Sequence, residues 1–302
     1  MNNSKRWLIT MGSWEERFVL GVEHLISNNK FDGISIVYSK EFAESTNNNR
    51  LKVKEICLRH QLQSIEVDVD FIDQVNTYIS IEQHLALITN KLANTTVEII
   101  LDISTMPREL IWTCLTLSRD ENLHIEWIYY PPQKYDEEWL TRDPVIPRMA
   151  LRKSGVTRYG KPTAVIVITG FDTERTLKAI SYFEPSLVLL GIQTGEQYEN
   201  LKRNANEQKA QLRPELCNIE TFDFNAYSED HGLKLLSEKI QLLQSNFNVL
   251  LTSQGPKPSA VTVYEIASLF PEVGLFYVPA REYNEKYSLG IKIDSMVCGN
   301  VN

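Results

Sequence analysis

Residues 99–109 have the sequence IILDISTMPRE, in which an apolar run ends in polar residues. An aliphatic and β-branched run that stops at Asp, Ser, Thr, Pro and Arg is typical of a buried strand that leads into a helix. The polar part brings hydroxyl groups and a guanidinium beside the free N–H groups of the helix, and such groups bind phosphate or carboxylate. The segment therefore predicts a parallel strand followed by an anion site. The candidate site residues are Asp102, Ser104, Thr105 and Arg108.

A purely structural interpretation of these residues stays open. Ser104 or Thr105 can cap the helix, and Pro107 suits its first turn, where the missing N–H costs little. Arg108 can form an ordinary surface ion pair. We favour the binding interpretation because a second polar loop is expected at the same edge of the sheet.

The rest of the chain alternates short β-branched runs with longer helical stretches, which is the pattern of βαβ units around a parallel sheet. Predicted strands lie at 7–11, 33–38, 64–69, 97–103 and 124–130, and again at 165–169, 186–191, 219–224, 248–253 and 274–278. Helices are predicted between them, including one at 195–211. The predicted fold class is α/β, with two tandem Rossmann-like lobes, each a mostly parallel five-stranded sheet with helices on both faces.

The two predicted lobes, residues 1–141 and 163–302, share residues at corresponding places. The matches are Gly12 with Gly170, Glu16-Arg17 with Glu174-Arg175, Ile65-Glu66 with Ile219-Glu220, and Met106-Pro107-Arg108 with Gly255-Pro256-Lys257. Their common order over about 120 residues predicts an internal repeat.

The lobes are joined by a predicted connector at 142–162, which holds Pro144, Pro147 and six basic residues against one acid. A pair of prolines stiffens a crossing segment. One interpretation is a basic arm that touches nucleic acid, and the other is a solvated linker. We favour the linker.

The loop after the first strand is the second candidate for binding. In an open, doubly wound sheet, ligands bind where the strand order reverses, which for the order 3-2-1-4-5 lies between strands one and four. Gly12 allows a tight turn there, and Ser13 can cap the next helix. Trp14 offers a flat face for a base, and Arg17 can reach a phosphate at the helix start. A Ser-x-x-Glu capping box explains the loop in purely structural terms.

A weaker version of the site is expected in the second lobe, where Gly255 and Lys257 follow the fourth strand. Lys257 keeps a cation where the first lobe has Arg108, so the second lobe is interpreted as an altered site or a lid, with a structural role equally open. Aromatic and basic residues follow both fifth strands, at 129–139 and 277–287. They can stack on bases or cover a domain seam, and we favour the seam.

The composition excludes several classes of protein. Of 302 residues, 43% are hydrophobic and 23% are charged, which indicates a folded soluble chain, not a disordered or collagen-like one. No apolar run is long enough to cross a bilayer, so we expect a cytoplasmic protein without membrane contact. The formal net charge of −8 argues against duplex nucleic acid as a partner.

Known motifs of metal, cofactor and catalytic sites do not occur in the sequence. The 4 cysteines form no CxxC pair and the 5 histidines no HExxH motif, so no metal site is expected. There is no Walker loop, GxGxxG fingerprint, GxSxG elbow or kinase motif, so no cofactor and no catalytic residue is predicted. Glu15 or Glu16 with Arg108 is a conceivable acid–base arrangement.

The segment from Asp102 to Arg108 resembles the fourth-strand motif of CARF domains, the Rossmann-like sensors of cyclic oligoadenylate in bacterial antiviral systems. That motif has the general form Asp-x-Thr-x-Gly-x-Lys or Arg, and here Ser104 replaces the Thr and Met106 the Gly. The resemblance implies a pocket formed by the loops after strands one and four, often at a twofold interface that the two lobes of one chain would supply here. By position, it assigns ligand contacts to Ser13, Ser104, Thr105 and Arg108, with Gly255 and Lys257 opposite.

Three functions are compatible with these patterns. The leading hypothesis is a sensor or regulatory protein that binds a nucleotide or another phosphorylated small molecule in a bacterial defence system. The second is an enzyme that hydrolyses or transfers a nucleotide phosphate group in the same cleft. The third is an adaptor that docks a nuclease or ATPase partner.

Overall fold

A computed structural model of the chain describes residues 4–91, 96–121, 123–135, 139–194 and 218–301. The chain divides into two compact units: unit 1 comprises residues 1–137 and 285–302, and unit 2 comprises residues 138–284. Each unit has a parallel-rich sheet flanked by helices, which confirms the predicted fold class of two Rossmann-like lobes. The helix predicted at 195–211 lies outside the described residues.

Unit 1 begins with five parallel strands and a short sixth segment. The strands are β1 (Lys5–Met11), β2 (Gly33–Ser39), β3 (Ser64–Val69), β4 (Val97–Asp102), β5 (His124–Tyr129) and β6 (Lys134–Tyr135). The helices are α1 (Glu16–Asn28), α2 (Ala43–Arg59), α3 (Gln74–Lys91) and α4 (Arg108–Asp120). The sheet order is β3-β2-β1-β4-β5, which confirms the expected order 3-2-1-4-5. The order reverses between β1 and β4, so the loops that follow these two strands meet at one edge.

The apolar face of α1 packs on the central strands of this sheet. Phe18, Val22 and Leu25 lie at helical spacing and are buried. They join Leu8 of β1 and Ile100 of β4 in one apolar cluster. Burial of each such side chain contributes about 1.5 to 3 kcal/mol, so the core holds α1 and the loop before it in place.

Unit 2 repeats the same sheet order. Its strands are β7 (Thr141–Pro144), β8 (Arg148–Met149), β9 (Thr163–Ile168), β10 (Leu187–Gln193), β11 (Asn218–Phe224), β12 (Asn248–Ser253), β13 (Gly274–Tyr277) and β14 (Ala280–Tyr283). The described helices are α5 (Thr173–Phe183), α6 (Leu233–Leu243) and α7 (Lys257–Leu269). The order β11-β10-β9-β12-β13-β8 is again 3-2-1-4-5, with β8 added antiparallel to β13.

The chain ends in β15 (Ser288–Leu289) and β16 (Val297–Val301), which belong to unit 1. β16 is an antiparallel sixth strand beside β5, with Cys298 opposite Ile128. β8, which follows the first lobe in sequence, is the corresponding sixth strand of unit 2. The segment that follows each five-stranded sheet in the sequence therefore joins the sheet of the other unit. β8, which follows the first set of strands, joins unit 2, and β16, which follows the second set, joins unit 1.

The predicted domain boundaries differ from those of the structure. The connector predicted at 142–162 belongs to unit 2, where Ala150 N donates to Leu275 O and Leu275 N donates to Lys153 O. Residues 285–302, expected in the second lobe, complete unit 1. The reason is that β8 and β16 have only 2 and 5 residues, and runs this short carry too little pattern to show which sheet they join.

Candidate functional site

The loops after β1 and β4 lie side by side in unit 1. Thr10 is opposite Asp102 in the register of the two strands. Beyond the strand ends, Thr105 Oγ1 donates to the backbone O of Met11 at 2.8 Å. The structure therefore brings residues 12–17 and 104–108 to the same edge of the sheet.

Asp102 and Ser104 hold the fourth-strand loop from inside. Asp102 is fully buried, and its carboxylate accepts hydrogen bonds from Thr10 Oγ1 at 2.9 Å and from Ser104 N at 3.0 Å. Burial raises the pKa of Asp102, although the bonds from Ser104 and Thr10 oppose the shift. Ser104 Oγ, also buried, accepts from Tyr130 N at 2.9 Å. Both side chains, predicted as ligand contacts, thus shape the loop, and ligand contact through them would require the loop to move.

Arg108 stands at the start of α4. It is the first residue of the helix and 8% exposed. Pro107 precedes it in an extended conformation at the N-cap position, one residue earlier than predicted. Since proline has no side-chain oxygen, the side chain at the N-cap position accepts no hydrogen bond from the first N–H groups of α4. The edge therefore combines a cation with the positive end of a helix dipole.

The first-strand loop is fixed by α2. Gly12 N donates to Val37 O at 2.7 Å, and a Cβ at Gly12 would lie 2.9 Å from Cδ of Arg50, so the close approach requires glycine. Asn49 Nδ2 donates to the backbone O of Ser13 at 3.1 Å and of Trp14 at 3.0 Å.

Asn49 and Arg50 were not predicted. They lie in the middle of α2, where the sequence pattern contains no signal that they contact a loop.

Ser13 and Trp14 differ in their exposure. Ser13 is buried, and its Oγ accepts from Glu15 N at 3.2 Å, so Glu15 is the N-cap residue of α1, not Ser13 as predicted. Trp14 is partly exposed, and its ring meets the edge of Phe42 with centroids 5.4 Å apart. Trp14 is therefore the predicted residue of this loop that keeps an aromatic face near solvent.

The contacts of Arg17 indicate a structural role. It is buried, pairs with Glu15, and donates from Nη1 to the backbone O of Tyr130 at 2.9 Å. In unit 2, Arg175 is buried at the matching place and donates from Nε to Val278 O at 2.6 Å. Each arginine thus supports the chain beyond the fifth strand, instead of reaching outward to a phosphate as the sequence suggested for Arg17.

The corresponding loops of unit 2 pack backbone against backbone. A Cβ at Gly170 would lie 2.0 Å from the backbone O of Gln254, and one at Gly255 would lie 2.8 Å from Thr169 O. Lys257 is the first residue of α7 and half-buried, with Pro256 at the N-cap position. Unit 2 therefore repeats the Pro-cation helix start of unit 1.

A cavity of about 430 Å³ lies at the other end of the unit 2 sheet, near the start of β12. Two cations line it, but Lys161 Nζ donates to Gln244 O at 2.8 Å and Arg158 pairs with Glu272 at 3.6 Å. Carbonyl groups at the end of α6 add negative potential there. The cavity is therefore a less favourable site for an anion than the edge described above.

Within the described residues, no group of three His, Cys, Asp or Glu side chains could hold a metal ion. Over the same residues, no helix is both long and apolar enough to span a bilayer.

No known protein family and no curated protein matches the sequence. Solved structures do match: the chain is similar to a type III CRISPR defence DNA nuclease activated by cyclic oligoadenylate, with a TM-score of 0.55 and 8% sequence identity. The match covers 86% of this chain and 63% of the nuclease, so this chain spans less than two thirds of that protein's length. At this identity the likeness shows a shared fold.

Proposed function

We propose that the chain binds a phosphorylated nucleotide at the carboxyl edge of its parallel strands and acts as a sensor or regulatory protein in a bacterial antiviral system. One observation carries the proposal: in both units, a helix that begins Pro-Arg or Pro-Lys starts beside the first-strand loop. A cation, helix N–H groups and a helix dipole together favour phosphate. The repeated arrangement also supports the proposed internal duplication.

The nucleotide nature of the ligand rests on two further points. The structural neighbour is activated by cyclic oligoadenylate, and the segment from Asp102 to Arg108 resembles the motif of the CARF sensors. Trp14, with its partly exposed ring, is suited to stack on a base. Thr105 is also partly exposed and completes the edge.

Calorimetric titration with cyclic tetra-adenylate tests the proposal. Lys257→Gln and Arg108→Gln should each weaken binding by about 1 to 3 kcal/mol, because each removes a charge-assisted contact. Arg59→Gln removes an exposed cation that pairs with a surface carboxylate and should leave affinity unchanged. Thermal unfolding of each variant checks that the fold is retained. Equal affinity in wild type, Lys257→Gln and Arg108→Gln would reject the proposed site.

An enzyme that acts on the same ligand is the second candidate. The carboxylate of Glu15 lies at the start of α1, where it could accept a proton, and it stays partly exposed beside Arg17. Arg108 would then stabilise the charge that develops on phosphate. Chromatography of nucleotides after incubation with the protein separates the two functions, because turnover selects the enzyme.

A docking role is the third candidate. Ile72 precedes α3, and Val75 and Ile79 lie in its first two turns; the three residues are 78%, 54% and 40% exposed. Exposed apolar residues at helical spacing are a feature of protein contact surfaces. Stable co-purification of a nuclease or ATPase, together with no bound small molecule, would favour the adaptor.

A further inference from the structure

A short segment near the end of the chain lies against the candidate site of unit 1. Residues 285–290, here named the strap, contact the first turn of α1: Ser288 Oγ donates to the Glu15 carboxylate, and Gly290 N donates to Glu16 Oε2 at 3.1 Å. β15, which lies within the strap, pairs with β6. The strap therefore contacts the same loop and helix start that border the fourth-strand loop.

The strap carries an aromatic residue, Tyr287, whose hydroxyl is influenced by the charged groups of this edge. The ring of Tyr287 lies 5.2 Å from that of Tyr135. Burial raises the pKa of Tyr287 well above its usual value, and the charge of Arg108 acts on the hydroxyl in the opposite direction. Tyr287 is thus within electrostatic reach of Arg108.

The strap is held more weakly than the residues that follow it. Its ladder with β6 has only two residue pairs, and Leu289 is 52% exposed. In contrast, Ile291 is buried in the apolar cluster of unit 1, and β16 pairs with β5 over five residues. A two-residue ladder that ends in an exposed side chain opens at lower free energy than a five-residue ladder beside a buried core. The strap can therefore lift while Ile291 and β16 stay in place.

We propose that residues 285–290 form a strap that must move aside before a phosphorylated ligand can reach Arg108. The inference rests on the proposed function of this edge and adds its regulation. Arg108 is only 8% exposed, whereas bidentate recognition of phosphate requires the guanidinium to be accessible. Ligand affinity is then reduced in proportion to the fraction of molecules in which the strap is open.

Chemical labelling of arginine tests the strap without any nucleotide. Phenylglyoxal is added to the full chain, and modification of Arg108 is followed by peptide mass spectrometry. Ser288→Ala and Glu16→Ala each remove one strap hydrogen bond and should speed labelling about 2- to 10-fold. Ser295→Ala, also in the tail but outside the strap, should not, and the exposed Arg59 serves as an internal reference.

Two outcomes would overturn the proposal that the strap covers Arg108. The first is an unchanged labelling rate at Arg108 in both strap variants. The second is faster labelling combined with an unchanged affinity for cyclic tetra-adenylate in a protein that binds it, since opening should then tighten binding by the same factor. Faster labelling with no nucleotide bound by any variant would reject the proposed function of the edge and leave the strap as a cover of Arg108.

Discussion

His84 should make the stability of unit 1 depend on pH. Its side chain is buried, and Nε2 lies 2.5 Å from Ser35 Oγ, which also accepts a hydrogen bond from Trp7 Nε1 at 2.7 Å. The indole is only a donor, so the serine proton is free to point to His84, and a neutral His84 ring can accept it at Nε2. Burial lowers the pKa of His84 from 6.5 to about 4.

The sign and size of the effect follow from this shift. The folded state keeps His84 neutral down to about pH 4, whereas the unfolded chain binds a proton below about pH 6.5. The stabilisation is complete above pH 6.5 and is lost as the pH falls toward 4. Linkage gives a loss of about 2 kcal/mol between pH 7.5 and pH 5, and a limit of about 3 kcal/mol below the folded pKa.

Urea unfolding, followed by tryptophan fluorescence at several pH values from 7.5 to 5, measures this loss. Trp7, Trp14, Trp112 and Trp127 of the 5 tryptophans lie in unit 1, so the signal reports mainly on that unit. His84→Gln keeps an acceptor for Ser35 but does not titrate, and should lose about 2 kcal/mol less than wild type over this range. His60→Gln removes an exposed imidazole and should follow wild type. Parallel pH profiles for wild type and His84→Gln would refute the reasoning, because carboxylates contribute equally to all three proteins.

Two further substitutions test how the loops are built. Gly170→Ala should destabilise unit 2 by about 2 kcal/mol or more, because its Cβ would lie 2.0 Å from the backbone O of Gln254; an unchanged urea midpoint would show that the loop yields easily. Arg17→Met should cost about 3 kcal/mol, because it leaves the carboxylate of Glu15 and the carbonyl of Tyr130 without this cation. A loss below about 1 kcal/mol in urea unfolding would place that ion pair among ordinary surface pairs.

The sequence pattern was sufficient for the central parts of both sheets. Runs such as residues 97–102 are apolar over a whole strand, and the alternation with helices predicts a parallel sheet whatever the contacts in detail. From the strand order, it also follows that residues 12–17 and 104–108 share an edge. The roles of individual residues could not be predicted in this way, because a Ser, Asp or Arg appears the same in the sequence whether it contacts a ligand or stabilises a loop. Only the buried positions of Asp102 and Arg17 distinguish the two.

The sequence by itself determined the α/β architecture and the location of the candidate edge, because periodic burial of apolar residues is a local property that a strand or helix carries with it. The tertiary structure alone decided which sheets β8 and β16 complete, the anchoring of the first loop by Asn49, and the contact of residues 288–290 with the start of α1. These features depend on pairings between residues far apart in the chain. Their free energy comes from a few hydrogen bonds between short segments, which leave almost no trace in the order of the amino acids.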